Sequence, residues 1–392
     1  MTAPLLDRVR GRLADSGDAG SIRASAVADA LRAEGVVLGT DGLLPLVAAL
    51  HDDLRGLGPL QSLIRDAAVT DVLVNAGGDV WVDRGVGLQR VDGLHLAPPE
   101  AIRLAQRLAA RAGRRIDEAT PFVDARMPEG VRLHAVLPPI CPRGAVISLR
   151  VPRRAFFTFD ELVATGTLTP SGADWIDAIV RARLSFLVTG ATGSGKTTIL
   201  GSILGRIQPD QRILIVEDSA ELRPDHPHVV TLQARPANLE GAGQVTLRDL
   251  VRHALRMRPD RVVVGEVRGA EVVDLLAALN TGHEGGCGTV HANSPGDLPA
   301  RIEALGLMAG LPRDAVHALA AAGLDVVIHV DRTSVGRRVS GVHVVRADGP
   351  FITAVPALAW SANGEVAGPG LADLAARLSA RGADVPLSGN VR

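Results

Sequence analysis

Gly190-Ala191-Thr192-Gly193-Ser194-Gly195-Lys196-Thr197-Thr198 decides how this chain is read. Its Gly-x-x-x-x-Gly-Lys-Thr pattern is one in which backbone N–H groups cradle phosphates. The lysine reaches the β- and γ-phosphates and the following hydroxyl faces magnesium. Among 42 basic residues Lys196 is the single lysine. A compact ammonium on a flexible stem fits between phosphate oxygens where a planar guanidinium fork does not. Just upstream, Leu184-Ser-Phe-Leu-Val-Thr189 has the apolar density of a buried strand, and Thr198-Ile-Leu-Gly-Ser-Ile-Leu opens a helix. Strand, glycine loop and helix start stand in the order that a nucleotide cradle for ATP or GTP requires.

Strand-like and helical segments keep alternating beyond the loop. Arg212–Glu217, Arg261–Gly265 and Cys287–His291 read as strands, and residues near 246–257 and 269–281 as helices. This alternation predicts an α/β domain with a mostly parallel, helix-covered sheet. From about residue 326 the text reads as strands with turns, followed by a helix near 371–381. Upstream, residues 1–55 form an amphipathic helical lead-in, with helices at Ile22–Arg32 and Leu43–Leu54. Residues 56–151 read as an α+β domain, with short strands between Val69 and Val91, a helix at 99–113, and strands at Val131–Val136 and Val146–Val151. The expected division is completed by a linker at 152–170, the nucleotide domain at 171–363, and a C-terminal helix with a mobile tail at 364–392.

Composition narrows the class. Hydrophobic residues make up 46% of the 392, yet no apolar run approaches the roughly 18–20 residues that a membrane span needs. The first residues lack the apolar core of a secretory signal. The expectation is a cytoplasmic protein, peripheral at the inner face of the cytoplasmic membrane if it meets one. Cys141 and Cys287 offer neither a disulfide framework nor a metal pair. Arginine rows at Arg103, Arg107, Arg111 and at Arg248, Arg252, Arg256 have helical spacing. A net charge of −1, with six Phe, three Trp and no Tyr, counts against direct nucleic-acid binding.

Three segments after the loop carry polar groups at strand ends, where open α/β sheets bind ligands. In Ile215-Val-Glu217-Asp218-Ser-Ala-Glu221 the carboxylate pair needs a cation or hydrogen-bond donors to face it. Magnesium and an attacking water are the natural occupants. In Val262-Val-Val-Gly265-Glu266-Val-Arg268, Glu266 is the candidate to orient or deprotonate that water. The alternative is that Glu266 pairs with Arg268 or caps the next helix. Thr197, Glu217, Asp218 and Glu266 are thus the expected magnesium contacts, direct or through water. In the third segment, His283, Cys287 and His291 are spaced by four, as metal ligands on a helix would be. Gly285, Gly286 and Gly288 disfavour that helix. The histidines are better placed to contact the γ-phosphate or relay its loss.

These four segments, in this order, resemble the Walker A, Asp-box, Walker B and His-box of the type II/IV secretion-system ATPases. Arg235-Pro-Ala-Asn-Leu-Glu-Gly, Leu247 to Arg261, Gly56-Leu-Gly-Pro-Leu and Thr70-Asp-Val-Leu-Val-Asn75 are similar to the tight-adherence, or Flp-pilus, branch. The resemblance spans roughly residues 55–335. It implies a RecA-like P-loop ATPase domain and a homo-hexameric ring that uses ATP and Mg²⁺. It also implies a membrane-embedded platform protein as partner, with pilin or secretion machinery beyond. Arginine fingers would come from the N-terminal domain, where Asp124-Ala-Arg126-Met-Pro-Glu-Gly-Val-Arg132 makes Arg126 and Arg132 the candidates, with Arg150 a third. Lys196, Glu217, Glu266, His283 and His291 complete the implied catalytic set. The Gly-Gly-Cys-Gly run of the His-box departs from the more Ser/Thr/Leu-rich stretch expected there. The function implied is a motor that powers assembly or retraction of a pilus-like or secretion apparatus. The alternatives are a conjugation-type DNA transfer ATPase and a nucleotide-gated scaffold with little turnover.

Overall fold

The computed structural model describes residues 24–35, 56–85, 87–151, 157–235, 237, 242–333, 336–361 and 364–386. The chain divides after Arg153 into two compact units. The expected helix at Leu43–Leu54, most of the 1–55 lead-in, part of the Arg235–Gly241 stretch and the end of the expected tail lie outside the described residues.

In the N-terminal unit, α1 (Ala24–Ala33) and α2 (Gln61–Arg65) precede β1 (Asp71–Val74), β2 (Asp79–Asp83), β3 (Leu88–His95), α3 (Pro98–Arg111), β4 (Phe122–Arg126), β5 (Arg132–Val136) and β6 (Val146–Arg150). The strands form one six-stranded sheet in the order β3-β2-β1-β6-β5-β4. Every pairing is antiparallel. Alternation sets which face is covered, with Val72, Val74, Leu133, Ile147 and Leu149 turned into the core. Helix α3 opens on Pro98, and Glu100 reaches back to the Ala97 N–H at 3.0 Å. Its Ala101, Leu104, Ala105 and Leu108 share one face and join that core. The short, charged strand β4 escapes a sequence reading because only Val123 and Ala125 point inward.

The C-terminal unit begins with α4 (Phe159–Ala164) and α5 (Pro170–Arg181). It continues through β7 (Phe186–Gly190), α6 (Lys196–Leu204), β8 (Ile213–Glu217), β9 (Val229–Gln233), α7 (Leu247–Ala254), β10 (Arg261–Val267), α8 (Glu271–Asn280) and β11 (Cys287–His291). Then come α9 (Leu298–Met308), α10 (Arg313–Gly323), β12 (Val326–Thr333), β13 (Gly336–Asp348), β14 (Phe351–Ser361), β15 (Gly364–Ala367) and α11 (Leu371–Ala380). One nine-stranded sheet has the order β15-β14-β13-β12-β7-β11-β10-β8-β9. From β12 to β9 all pairings are parallel, whereas β12 to β15 form an antiparallel extension. The mostly parallel α/β architecture expected from the sequence is the observed one.

Successive strand residues feed opposite faces of this sheet. Phe186, Val188, Ile213, Ile215 and Val263 pack with Trp175, Ile176, Ile199, Ile203 and Leu374. Leu187, Leu214, Val216, Val264 and Val290 pack with Val251, Leu275, Ile302 and Val316 on the other side. Burial on both faces explains the continuous apolar runs.

Two boundaries differ from the sequence reading. The segment expected as a linker at 152–170 contains α4, where Thr158 accepts from the Glu161 N–H at 3.2 Å and Glu161 returns to the Thr158 N–H at 2.8 Å. Phe159, Leu162 and Leu168 are buried in the C-terminal core, so a capping box and three apolar anchors order residues between the nominal domains. Likewise β15 and α11 belong to the C-terminal unit, with Leu374 and Leu378 buried in the same core.

Candidate active site

Parallel strands put their C-terminal ends on one sheet edge, and this gathers the motifs. His291 is paired with Gly190 across β11 and β7, and Val264 with Val216 across β10 and β8. Gly190, Glu217, Glu266 and His291 therefore share that edge.

The loop from Gly190 to Gly195 leaves β7 and enters α6 with Lys196 as its first helical residue. Two glycines are required by geometry. A Cβ on Gly190 would stand 2.3 Å from the Val330 carbonyl oxygen and 2.5 Å from Ser194 Oγ. Gly195 precedes the helix at φ +100°, a region that disfavours side chains. The Ser194 hydroxyl is buried and has no hydrogen-bond partner among the described residues. A glycine cradle, a helix N-terminus and an orphaned buried hydroxyl fit a phosphate group.

Lys196 is buried, at 6% exposure. Its ammonium donates to the carbonyls of Gly190 at 3.0 Å and Ala191 at 2.9 Å. It also lies 3.2 Å from His291 Nδ1. An ammonium has no acceptor, so Nδ1 accepts and the ring proton sits on Nε2. That nitrogen faces Glu266 Oε1 at 2.6 Å. The other Glu266 oxygen accepts from Arg268. Lys196, His291, Glu266 and Arg268 thus form one chain of contacts. Thr192 Oγ1 stands at the far end of hydrogen-bond range from the same His291 nitrogen, at 3.4 Å.

Burial pushes the Glu266 carboxyl up, but the Arg268 hydrogen bond and the charges of Arg268, His291 and Lys196 outweigh it and leave it below the ordinary range. Burial and the neighbouring Lys196 lower His291 despite the opposing pull of Glu266. Burial also lowers Lys196, partly offset by Glu266. The set is a carboxylate kept anionic, an imidazole kept neutral and an ammonium poorly solvated. Glu266 does pair with Arg268, as the alternative reading held. The helix-capping part of that alternative falls to Glu271, whose Oε1 accepts from the Arg268 and Gly269 N–H groups at 2.6 and 2.7 Å.

Glu217 ends β8 at the same edge. It is buried, and Oε1 accepts from the N–H groups of Glu221 at 3.0 Å and Leu222 at 3.1 Å. Gly265 makes room for it, because a Cβ there would lie 2.6 Å from Glu217 Cγ. The donors that a sequence argument demanded for this carboxylate are backbone amides. Asp218, next in the chain, is exposed.

His283 is not brought to the phosphate loop. It precedes β11, whose first residue Cys287 pairs with Phe186 at the start of β7, a full strand away from Gly190. Its carbonyl accepts from the Gly286 N–H, and the Phe186 N–H binds the Gly286 carbonyl. Only the interval from Cys287 to His291 runs along a strand; residues 283–286 form a turn before it, so the spacing separates His283 from His291 where a helix would have stacked them.

Arg126 and Arg132 belong to the N-terminal unit, paired with each other across β4 and β5, with Arg150 opposite Arg132 on β6. Arg132 makes a two-pronged contact with Asp124, Nε to Oδ1 at 3.0 Å and a terminal nitrogen to Oδ2 at 2.6 Å. That hydrogen bond holds the Asp124 carboxyl below its usual range.

No cluster of three or more His, Cys, Asp or Glu among the described residues is arranged to hold a metal alone. Of the expected magnesium contacts, Thr197 follows Lys196 at the start of α6, Glu266 lies on β10, Glu217 is bonded to backbone amides and Asp218 is exposed. Two arginines overlooked in the sequence, Arg332 and Arg337, also reach the loop. Arg337 Nε donates to the Gly193 carbonyl at 3.3 Å. Their only sequence signal is two cations flanking a turn between apolar strands.

Residues 53–336 match the family described as type II/IV secretion system protein. A Mycobacterium tuberculosis protein named for conjugal transfer is 55% identical over 309 residues, covering 77% of this chain and 88% of that protein. The conjugal transfer protein TrbB of Rhizobium radiobacter is 30% identical, covering 76% and 89%. The crystal structure of the pilus retraction motor PilT with bound ADP aligns with a TM-score of 0.53 at 22% identity, covering 74% of this chain and 82% of that one. The last likeness concerns the fold. No helix among the described residues is long and apolar enough to cross a membrane.

Proposed function

The chain belongs to the type II/IV secretion system protein family, and from that premise we propose that it is a secretion ATPase that works as a homo-hexameric ATP-hydrolysing motor. It drives a pilus-like or secretion apparatus through a platform protein at the cytoplasmic face of the membrane. One observation carries the chemistry: the contact chain from Lys196 through His291 to Glu266 and Arg268, beginning at the glycine loop.

Loop N–H groups from Gly190 to Thr198 and the Lys196 ammonium bind the phosphate chain. Thr197 and Glu266 would hold magnesium, which would supply positive charge against the phosphate chain. Glu266 orients the attacking water, and Arg268 keeps it ionised for that task. His291, neutral and already in contact with both Lys196 and Glu266, senses whether the terminal phosphate is present. Arg126 and Arg132 act as arginine fingers. Their test mixes either alanine variant with Glu266→Gln subunits, and an unchanged activity pattern would make both purely structural.

The central test is phosphate release from ATP with magnesium by the wild type and by Lys196→Ala. The expected result is release that the variant lacks. Equal release by both would overturn the assignment of this loop.

The names of the relatives also fit a second reading, in which the same motor serves conjugal DNA transfer. Plasmid and single-strand binding over a salt series discriminates. Tight, strongly salt-sensitive binding would favour a motor that handles DNA directly.

A further inference from the structure

β12 lies parallel to β7, with His329 opposite Thr189. It continues past the sheet edge beside the phosphate loop, where the Val330 carbonyl closes on Gly190. The chain returns as β13, and Arg332 and Arg337 face each other across the two strands. Both are exposed. A Cβ added to Gly195 would meet Arg337 Cδ at 2.9 Å, and one added to Gly193 would lie 3.9 Å from a terminal nitrogen of Arg332.

We propose that Arg332 and Arg337 are phosphate-binding residues of the nucleotide site, supplied by the same unit that carries the loop. They take the outer side of the polyphosphate chain while Lys196 takes the inner side. Arg337 has a further, positioning role. By holding the Gly193 carbonyl outward it keeps the loop open to the anion. The argument rests on reading the glycine loop as a nucleotide site. It adds a cation source distinct from Arg126 and Arg132 of the other unit. Guanidinium forks suit this place because they can bind two phosphate oxygens at once.

The experiment measures equilibrium binding of ATP and ADP by the full-length protein at several salt concentrations. The wild type is compared with Arg332→Gln, Arg337→Gln, Arg337→Lys and Lys196→Ala, with thermal melts to verify folding. Each glutamine variant is expected to weaken ATP binding about tenfold and to flatten its salt dependence, while melting as the wild type does. Arg337→Lys keeps the salt dependence but recovers only part of the affinity, since the fork that holds Gly193 is lost. A merely structural hairpin would not alter the salt dependence. If Lys196→Ala abolishes binding while both glutamine variants keep wild-type affinity and salt dependence, the hairpin proposal fails and the loop assignment stands. If Lys196→Ala binds ATP normally, the loop assignment fails, and this proposal with it.

Discussion

Lys196 and Glu266 address opposite nitrogens of one imidazole, with Nζ 3.2 Å from His291 Nδ1 and Oε1 2.6 Å from His291 Nε2. The group that binds phosphate and the group that faces water are thereby coupled through a single ring. A change at either end must alter the tautomer or the charge of the histidine between them.

Lys196→Arg, conservative by charge, should lower turnover by roughly 100-fold or more. The ammonium sits among two carbonyls and an imidazole at 6% exposure, where a guanidinium cannot fit. Phosphate release and ATP binding measure this. Wild-type activity in the variant would show that the lysine's shape is irrelevant.

Glu266→Gln should retain ATP binding and lose turnover by about 100- to 10,000-fold. It removes the charge while keeping the size, and leaves Arg268 with a neutral partner. Bound ATP recovered intact from the variant is the expected signature. Undiminished phosphate release would move the water-orienting role elsewhere.

Acidification should switch the centre off below the ordinary histidine range. His291 has its folded pKa lowered from 6.5, so the neutral ring favours the native state, and that contribution declines as pH falls from 6.5 through the lowered value. Glu266 is also lowered, from 4.5, and its stabilising contribution is lost on acidification through its own lowered value. The acid limb of turnover should therefore lie below pH 6.5 and shift in His291→Gln. A limb unchanged in that variant would assign it to another group.

Glu217→Ala should destabilise the C-terminal unit by about 2–4 kcal/mol, because the Glu221 and Leu222 amides lose a buried acceptor. Glu217→Gln, which keeps one acceptor oxygen, should cost about 1 kcal/mol. Thermal melts rank the two. A glutamine variant that melts like the wild type yet fails to turn over would return Glu217 to the chemistry.

Much of the core was legible because its signals are local. Cys287–His291 forms a strand with the bounds expected, and 371–381 contains a helix at Leu371–Ala380. Helices α9 and α10 and strand β9 were not anticipated, the last because its residues are only half buried at the sheet edge. The apparent linker misled because Gly, Thr and Pro residues around it masked the Thr158-to-Glu161 cap.

By itself, the sequence pointed to a phosphate loop opening a parallel α/β unit and singled out Lys196, Glu217, Glu266, His283 and His291 around it, with Arg126 and Arg132 from the other unit. The full Gly-x-x-x-x-Gly-Lys-Thr pattern between a buried strand and a helix points to phosphate binding, and that is written in adjacent residues. Tertiary structure decided which distant groups meet. It turned Glu217 onto backbone amides and left His283 at the wrong end of an extended strand. It also carried Arg332 and Arg337 to a loop more than a hundred residues earlier in the chain. Strand register and direction set those distances, and they depend on pairings between segments that no local pattern contains.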